Sequence, residues 1–220
     1  MRIAIGAGNV GRTLGGALRI RGHAVVYGVR DPARSPERVA KPVRDALKGA
    51  ELVILATPWN ATEALVCEHA EQLAGKIVID ATNPINPSRI RLAVGFDTSG
   101  AELLQGQARK ATFFKAFNSA RVAVMAKPQF PEGNAIMFVA GPGDAGKSTV
   151  LVEDVGFDAV DAGELKVARL LEPLAMLWLQ PALVQGAGRD LAFVMARRDA
   201  ANPKADSGVR MVRSHPQAVE

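Results

Sequence analysis

Two glycine-rich stretches of the chain have the spacing of phosphate-binding loops. GAGNVG carries the pattern G-x-G-x-x-G at Gly6, Gly8 and Gly11, and GPGDAGKST at 141–149 carries G-x-x-x-x-G-K-[ST]. The first pattern is typical of dinucleotide-binding folds and the second of nucleotide hydrolases. The residues on either side of each motif decide which chemistry it can support.

The N-terminal motif has the surroundings that dinucleotide binding requires. The apolar strand RIAI precedes it, and a helix with apolar positions at helical spacing follows from residue 9 to 21. We expect Gly6 to allow the tight turn and Gly8 to let the backbone approach a pyrophosphate. Gly11 would let the helix pack close to the strand. The free N–H groups of the helix N-terminus would then face the phosphates.

The end of the second strand discriminates between NAD and NADP. That strand is HAVVYG at 23–28, and the chain continues VRDP. Asp31 is far enough along to be the acid that binds a ribose hydroxyl in NAD enzymes, but Pro32 follows it, so we expect Asp31 in a loop. Arg30 lies at the strand tip, where its guanidinium can bind a 2′-phosphate with help from Arg34 and Arg38. The sequence therefore favours NADP.

The second glycine motif predicts only a loop. The residues after Thr149 read mostly as helix, and none forms an apolar strand ending in an aspartate that could hold magnesium. Pro142 has no backbone N–H, so the loop lacks one of the donors that a phosphate cradle would use. We expect a strand-to-helix connection in which Asp144 caps the following helix.

Strands and helices alternate along most of the chain. This order predicts an α/β fold with a mainly parallel, Rossmann-type sheet and a helical C-terminal segment. We assign residues 1–163 to an NADP-binding domain, 164–198 to the helical segment and 199–220 to a flexible tail. Residues 85–110 are polar and lack periodicity, which predicts an irregular loop on the substrate side. Within the helical segment, interruptions are expected at Pro173, Pro181 and Gly186.

Composition limits the class of partner and the compartment. The net charge of +5 and the pI of about 9.7 suit an anionic ligand such as a phosphorylated cofactor. The basic residues are spread thinly and no nucleic-acid-binding motif appears, so we expect no nucleic-acid partner. No apolar stretch is long enough for a bilayer. The single cysteine, Cys67, and the lack of a secretory leader predict a cytoplasmic protein.

Few acids stand where a reaction would occur. The segments expected at the carboxyl ends of the strands hold mostly small, apolar or amide residues: ATPW at 56–59, ATNP at 81–84 and AFNSA at 116–120. No metal-ligand spacing appears. Lys115 could reach the cleft, although a lone lysine at a strand end is more often solvated. Hydride transfer to a carbonyl needs a proton donor, whereas transfer between two redox rings mainly needs them held face to face. The sequence favours the second, and we predict no catalytic residue.

Six stretches together resemble one family of enzymes. They are IAIGAGNVGRTLGGAL, YGVRDP, LATPW, DATNP, KAFN and LEPLAMLW, and the resemblance covers residues 1–198. They are similar to the NADPH-dependent deazaflavin (coenzyme F-420) reductases, and also to the reductase domains of membrane metalloreductases that use a flavin. The resemblance implies an NADPH site lined by the following residues: Gly6, Ala7, Gly8, Asn9, Val10, Val29, Arg30, Thr57, Pro58, Trp59, Asn83 and Pro84. It implies that Ala116 to Ala120, with Asn118 among them, border the nicotinamide and the acceptor.

These observations lead to one main hypothesis and two alternatives. The main hypothesis is an NADPH-dependent reductase that passes hydride to a deazaflavin or flavin-like ring. A reductase of a small imine or carbonyl, like pyrroline-carboxylate reductases, is the enzymatic alternative, with Lys115 or an ordered water as its acid. The other alternative is a non-catalytic dinucleotide sensor. The apolar run at 165–196 further predicts a homodimer anchored by Trp178.

Overall fold

The apolar runs of the sequence form the strands of an eight-stranded sheet in the computed structural model, which describes residues 1–86, 91–143, 146–186, 188 and 190–196. Four further short strands form two separate ribbons. In chain order the strands are β1 (Arg2–Gly6), β2 (Ala24–Val29), β3 (Ala40–Pro42), β4 (Leu52–Leu55), β5 (Ile77–Asp80), β6 (Ile85–Asn86), β7 (Arg91–Leu92), β8 (Thr112–Lys115), β9 (Gln129–Phe130), β10 (Gly133–Asn134), β11 (Ile136–Ala140) and β12 (Asp158–Gly163).

Helices connect these strands and cover the sheet. They are α1 (Asn9–Ile20), α2 (Val43–Leu47), α3 (Trp59–Glu68), α4 (Ala70–Leu73), α5 (Gly100–Gln107), α6 (Val122–Ala126), α7 (Gly146–Val155) and α8 (Ala168–Leu179). Short 3-10 turns occupy Pro32–Arg34 and Leu165–Val167, and a π-helical turn at Gln180–Val184 follows α8. None of the described helices combines the length and the apolar character that crossing a membrane would require.

The sheet has the order β12-β11-β8-β5-β4-β1-β2-β3. The strands from β8 to β3 in this order pair in parallel, as connections through helices require. β11 joins β8 in the antiparallel sense through Ala140 and Lys115, and β12 pairs in parallel with β11. The predicted mainly parallel α/β fold is therefore confirmed.

Helices bury both faces of the sheet, which explains why the central strands are apolar along their length. On one face, Leu14 of α1 and Leu151 of α7 pack with strand residues such as Ile5. On the other, Val66 of α3 and Leu104 of α5 pack with residues such as Phe113. The two layers hold the carboxyl ends of the parallel strands along one edge of the sheet.

The prediction of an irregular loop over 85–110 was wrong, because this segment contains the β6–β7 ribbon and helix α5. The start of α5 is capped by Ser99, whose hydroxyl accepts the N–H of Glu102 at 3.2 Å and donates to the Glu102 carboxylate at 2.7 Å. The sequence SGAE at 99–102 is the S-x-x-E signal of a helix start.

The C-terminal segment also differs from its prediction. Helix α8 continues through Pro173, and contacts made by its neighbours Leu171 and Glu172 hold that turn in place. The helical turns end at Val184, and the described residues 190–196 form no helix. Instead, the N–H of Ile136 donates to the carbonyl of Phe193 at 2.9 Å. The predicted tail at 199–220 lies outside the described residues.

Candidate active site

The glycine turn between β1 and α1 has the geometry of an anion-binding helix start. A Cβ on Gly11 would overlap the carbonyl oxygen of Gly6, so only glycine lets the helix lie this close to the strand. Gly8 is the N-cap and supplies no side chain to the first turn, which also carries no acid. The first-turn N–H groups of α1, beginning at Asn9, therefore remain available for an anionic ligand.

A cleft of about 1030 Å³ opens beside this turn, at the carboxyl ends of the parallel strands. It brings together six of the residues predicted for cofactor binding: Ala7, Val29, Arg30, Arg34, Thr57 and Pro58. Arg12, Arg44, Asn60, His69 and other side chains complete its wall. The cleft therefore joins the glycine turn to the tip of the second strand, as dinucleotide binding requires.

Positive charge dominates the lining of this cleft. The lining holds four arginines and only two acids: Arg12, Arg30, Arg34 and Arg44 against Asp31 and Glu68. The carboxylate of Asp31 is already engaged, since it accepts the N–H of Ala33 at 3.0 Å and lies 3.8 Å from Arg34. Asp31 therefore lies in the loop, as its neighbouring proline predicted, and it caps a 3-10 turn instead of ending the strand. Such a lining attracts an anionic group.

Two of the cleft arginines, Arg12 and Arg44, were not predicted from the sequence. Arg12 follows the last glycine of the motif in the first helix, and its Nε lies 3.3 Å from the carboxylate of Glu37. Arg44 lies on the short helix α2, which begins directly after the edge strand β3. The position of Arg12, one turn into a phosphate-facing helix, was the available signal for the first. The position of Arg44 in the cleft depends on the pairing of β3 with β2, and no local sequence pattern predicts that pairing.

Several predicted residues do not line the cleft. Pro84 and Ala116 are buried and are not among the residues that line it. The Trp59 ring packs against Gly100 at the start of α5, where a Cβ would meet it at 2.9 Å. Each of these three residues follows a strand at the expected end, and their part in cofactor binding stays a prediction.

Asn83 and Asn118 do meet, and they face each other across the ends of β5 and β8. The Asn83 side-chain amide donates to the backbone carbonyl of Asn118 at 2.7 Å. The Asn118 amide donates to the Asn83 side-chain oxygen at 3.1 Å and to the Leu171 carbonyl at 2.8 Å. This amide pair lies where the resemblance implied the nicotinamide end of the cofactor.

A buried cluster of charges that the sequence did not predict lies at these strand ends. It consists of Asp80, Lys115 and Glu172, and we call it the ionic triad. All three residues are 0 % exposed. The Lys115 ammonium donates to Asp80 at 2.8 Å, to Glu172 at 2.8 Å and to the Thr82 carbonyl at 2.7 Å. The expectation of a solvated Lys115 was wrong, since the carboxylates come from β5 and the distant helix α8.

The ionic triad removes Lys115 as a proton donor. An ammonium has three N–H bonds, and all three are used. Burial opposes the charged form, but the two carboxylates outweigh it and hold the pKa of Lys115 above its ordinary value. A group with a raised pKa and no free N–H is a poor acid catalyst near neutral pH.

The second glycine motif connects β11 to α7: Ala140, just before it, pairs with Lys115, and α7 begins at Gly146. Ser148 is 0 % exposed, so its hydroxyl cannot reach a metal held outside the helix. Lys147 is exposed and is not among the residues that line the cleft. Asp144, the expected cap, lies outside the described residues.

Lys147→Ala should leave NADPH binding unchanged, within about twofold, because the side chain is exposed and does not line the cleft. Titration of NADPH into the parent and the variant tests this expectation. Phosphate release from ATP by the parent that disappears in Lys147→Ala would instead identify a working phosphate loop.

Comparison with known proteins agrees with this geometry. Residues 2–84 match the family described as NADP oxidoreductase, coenzyme F-420-dependent. The chain is 27% identical to the F-420-dependent NADP reductase of Methanocaldococcus jannaschii, over 80% of this chain and 90% of that protein. A crystal structure from Arthrobacter sp. FB24, provisionally named an F-420-dependent NADP-reductase, superposes with a TM-score of 0.79 and 32% identity, over 90% of this chain and all of that one.

A third relative is much longer than this chain. The rat metalloreductase STEAP3 is 31% identical over 82% of the chain, but the matching part is only 38% of that protein. The similarity therefore extends to one portion of the metalloreductase.

Proposed function

The chain belongs to the family of coenzyme F-420-dependent NADP oxidoreductases and is an NADP-dependent oxidoreductase, and we propose that it transfers a hydride between NADP(H) and a deazaflavin or flavin-like ring. The cofactor half of this proposal is supported by the cleft. Its glycine turn offers uncapped N–H groups, and its arginines surround the tip of β2. A pyrophosphate and a 2′-phosphate are the anions that such a pair of features recognises.

The acceptor half rests on one observation, which is the saturated ammonium of Lys115. Among the described residues at the ends of β5 and β8, the charged side chains are locked in the ionic triad and the remaining polar groups include the amides of Asn83 and Asn118. Reduction of a carbonyl needs a proton at the moment of transfer, whereas a hydride can pass between two stacked rings without one. Two amides beside a saturated ammonium at these strand ends suit a ring acceptor.

Oxidation of NADPH with a panel of acceptors tests the proposal. The absorbance of NADPH should fall with a deazaflavin, FMN or FAD, and should stay constant with cyclic imines and simple carbonyls. Quinones serve as a second class of ring. Turnover with cyclic imines alone would replace this proposal by the imine-reductase alternative.

We further propose that the protein is a homodimer, built through an apolar stripe on its C-terminal helical turns. Leu170 and Leu177 lie seven residues apart on α8 and are 69% and 61% exposed, and Val184, on the π-helical turn that follows, is 59% exposed. A seven-residue repeat keeps apolar side chains on one face of a helix, and soluble monomers rarely leave such a face open. Trp178 is not the anchor expected from the sequence. It is buried in its own chain, and its indole donates to the Leu191 carbonyl at 2.8 Å.

Leu177→Glu should therefore yield a monomer of 23.2 kDa by light scattering at micromolar concentration, where the parent shows twice that mass. The reason is that a charge would enter the middle of the buried stripe. Ile20→Glu is the matched control, since Ile20 is 87% exposed but lies on α1. A parent that is already monomeric would refute the dimer.

A further inference from the structure

The ionic triad joins four parts of the chain at one point. Asp80 ends β5, Lys115 ends β8, and Glu172 comes from helix α8. The Glu172 carboxylate also accepts the N–H of Gly100 at 2.9 Å and that of Ala101 at 3.3 Å, at the start of α5. Two carboxylates and one ammonium leave an excess negative charge, and the positive end of the α5 dipole partly offsets it. Every charge in the cluster therefore has a partner.

Both carboxylates of the ionic triad are linked to contacts that orient the Asn83–Asn118 pair. The Asp80 carboxylate accepts the N–H and the hydroxyl of Thr82, at 2.9 and 2.7 Å, which holds the chain directly before Asn83. Leu171, the neighbour of Glu172, accepts the amide of Asn118. The two amides are thus held from two sides, through Thr82 and through Leu171.

The orientation of Asn118 follows from these contacts. Both bonds from its side-chain nitrogen end on oxygens, so its amide cannot be reversed without losing them. Its side-chain oxygen accepts no hydrogen bond from the described residues. The backbone just before it is strained, because buried Phe117 has a φ of 61°, where side chains are rarely tolerated. Such a conformation persists only where the surroundings impose it.

We propose that Lys115 and Glu172 are positioning residues, which act through the Asn83–Asn118 pair to orient the nicotinamide half of the cofactor. This inference rests on the proposed binding of NADP(H). No residue of the ionic triad lines the cleft. Substitutions in the triad should therefore not affect binding of the adenosine 2′-phosphate half of the cofactor. The two halves of the cofactor therefore respond to different residues, and that separation can be measured.

The experiment compares Glu172→Gln with Glu102→Gln. Both residues connect α8 to α5, since Arg169 on α8 pairs with Glu102 at 2.7 Å, but only Glu172 contacts Lys115. In Glu172→Gln, the new amide NH₂ must face either the Lys115 ammonium or the N–H groups of α5, so one charge-assisted bond is lost either way. The ligands are NADP⁺ and adenosine 2′,5′-bisphosphate, a fragment without the nicotinamide, and the readout is their Kd by calorimetry.

We expect Glu172→Gln to raise the Kd for NADP⁺ about tenfold, a usual size for coupling between neighbouring groups, and to leave the Kd for the bisphosphate within about twofold. Glu102→Gln should leave both Kd values within about twofold. Asn118→Leu tests the end of the same chain of contacts and should reproduce the selective loss, even if Glu172→Gln fails to fold.

Equal weakening of both ligands, or of neither, would overturn the inference, because the ionic triad would then serve stability alone. If the parent protein bound neither ligand, the proposed cofactor would itself be wrong and the inference would fall with it. Tight binding of both ligands by the parent, with no selective loss in any variant, would reject the positioning role and leave the cofactor proposal standing.

Discussion

Lys115→Met should lower the free energy of unfolding by about 3–5 kcal/mol, the range observed when one partner of a buried ion pair is removed. Methionine is unbranched like lysine and only one heavy atom shorter, so the packing changes little. The charge is lost, however, and the carboxylates of Asp80 and Glu172 are left facing each other at 0 % exposure. Each keeps some N–H donors, but no cation separates them, and the protein must either hold both charges or protonate one.

Lys110→Met is the matched control for this change. Lys110 pairs with Glu71 at 3.1 Å, but their side chains are 68% and 80% exposed. An exposed pair contributes at most about 1 kcal/mol, so the same substitution should have little effect there. Urea denaturation of both variants makes the comparison. Adding Asp80→Asn to Lys115→Met should recover part of the loss, and similar small losses in the two single variants would show that the ionic triad is not stabilised as described.

Arg30→Ala should weaken NADPH binding by about 1.5–3 kcal/mol, the scale of hydrogen bonds to a charged group, and should leave NADH binding nearly unchanged. Arg12 is held by Glu37 and Arg34 lies beside Asp31. Arg30 is exposed at the end of β2 and has no ion-pair partner within the described part of the chain. Its guanidinium is thus the one best placed to meet the 2′-phosphate that distinguishes the two cofactors.

Fluorescence titration with NADPH and with NADH measures this selectivity. Arg38→Ala is the control, because Arg38 belongs to the same loop region but does not line the cleft. It should change neither affinity by more than about twofold. Equal affinity of the parent for the two cofactors would contradict the prediction, and so would an Arg30→Ala variant that loses both to the same extent.

Local patterns predicted the parts of the site that local chemistry determines. The glycine turn depends on residues within one strand-turn-helix unit, and Asp31 was placed in its loop by the proline that follows it. Helix α5 was missed although its S-x-x-E signal was present, because the polar residues around it suggested a loop. A pattern of polar residues describes exposure and does not by itself exclude a capped helix.

The ionic triad could not be predicted in the same way. Asp80, Lys115 and Glu172 are far apart in sequence, and nothing local distinguishes a lysine that will be buried from one that will be solvated. Their meeting depends on β5 lying next to β8 and on α8 returning over that edge. The same is true of Trp178, whose partner Leu191 is brought close only when the end of the chain folds back. Long-range packing decides both.

The position of Trp59 gives the protein an optical reporter of its own. The indole ring and the Glu172 carboxylate both occupy the space next to Gly100 that a side chain would fill. Indole emission depends on nearby charge and on water, so a rearrangement of the ionic triad should shift the emission wavelength without any added dye. Because Trp59 and Trp178 are the two tryptophans of the chain, replacing Trp178 by phenylalanine would isolate the signal of Trp59. Stopped-flow mixing with cofactor could then time how fast this edge of the sheet responds.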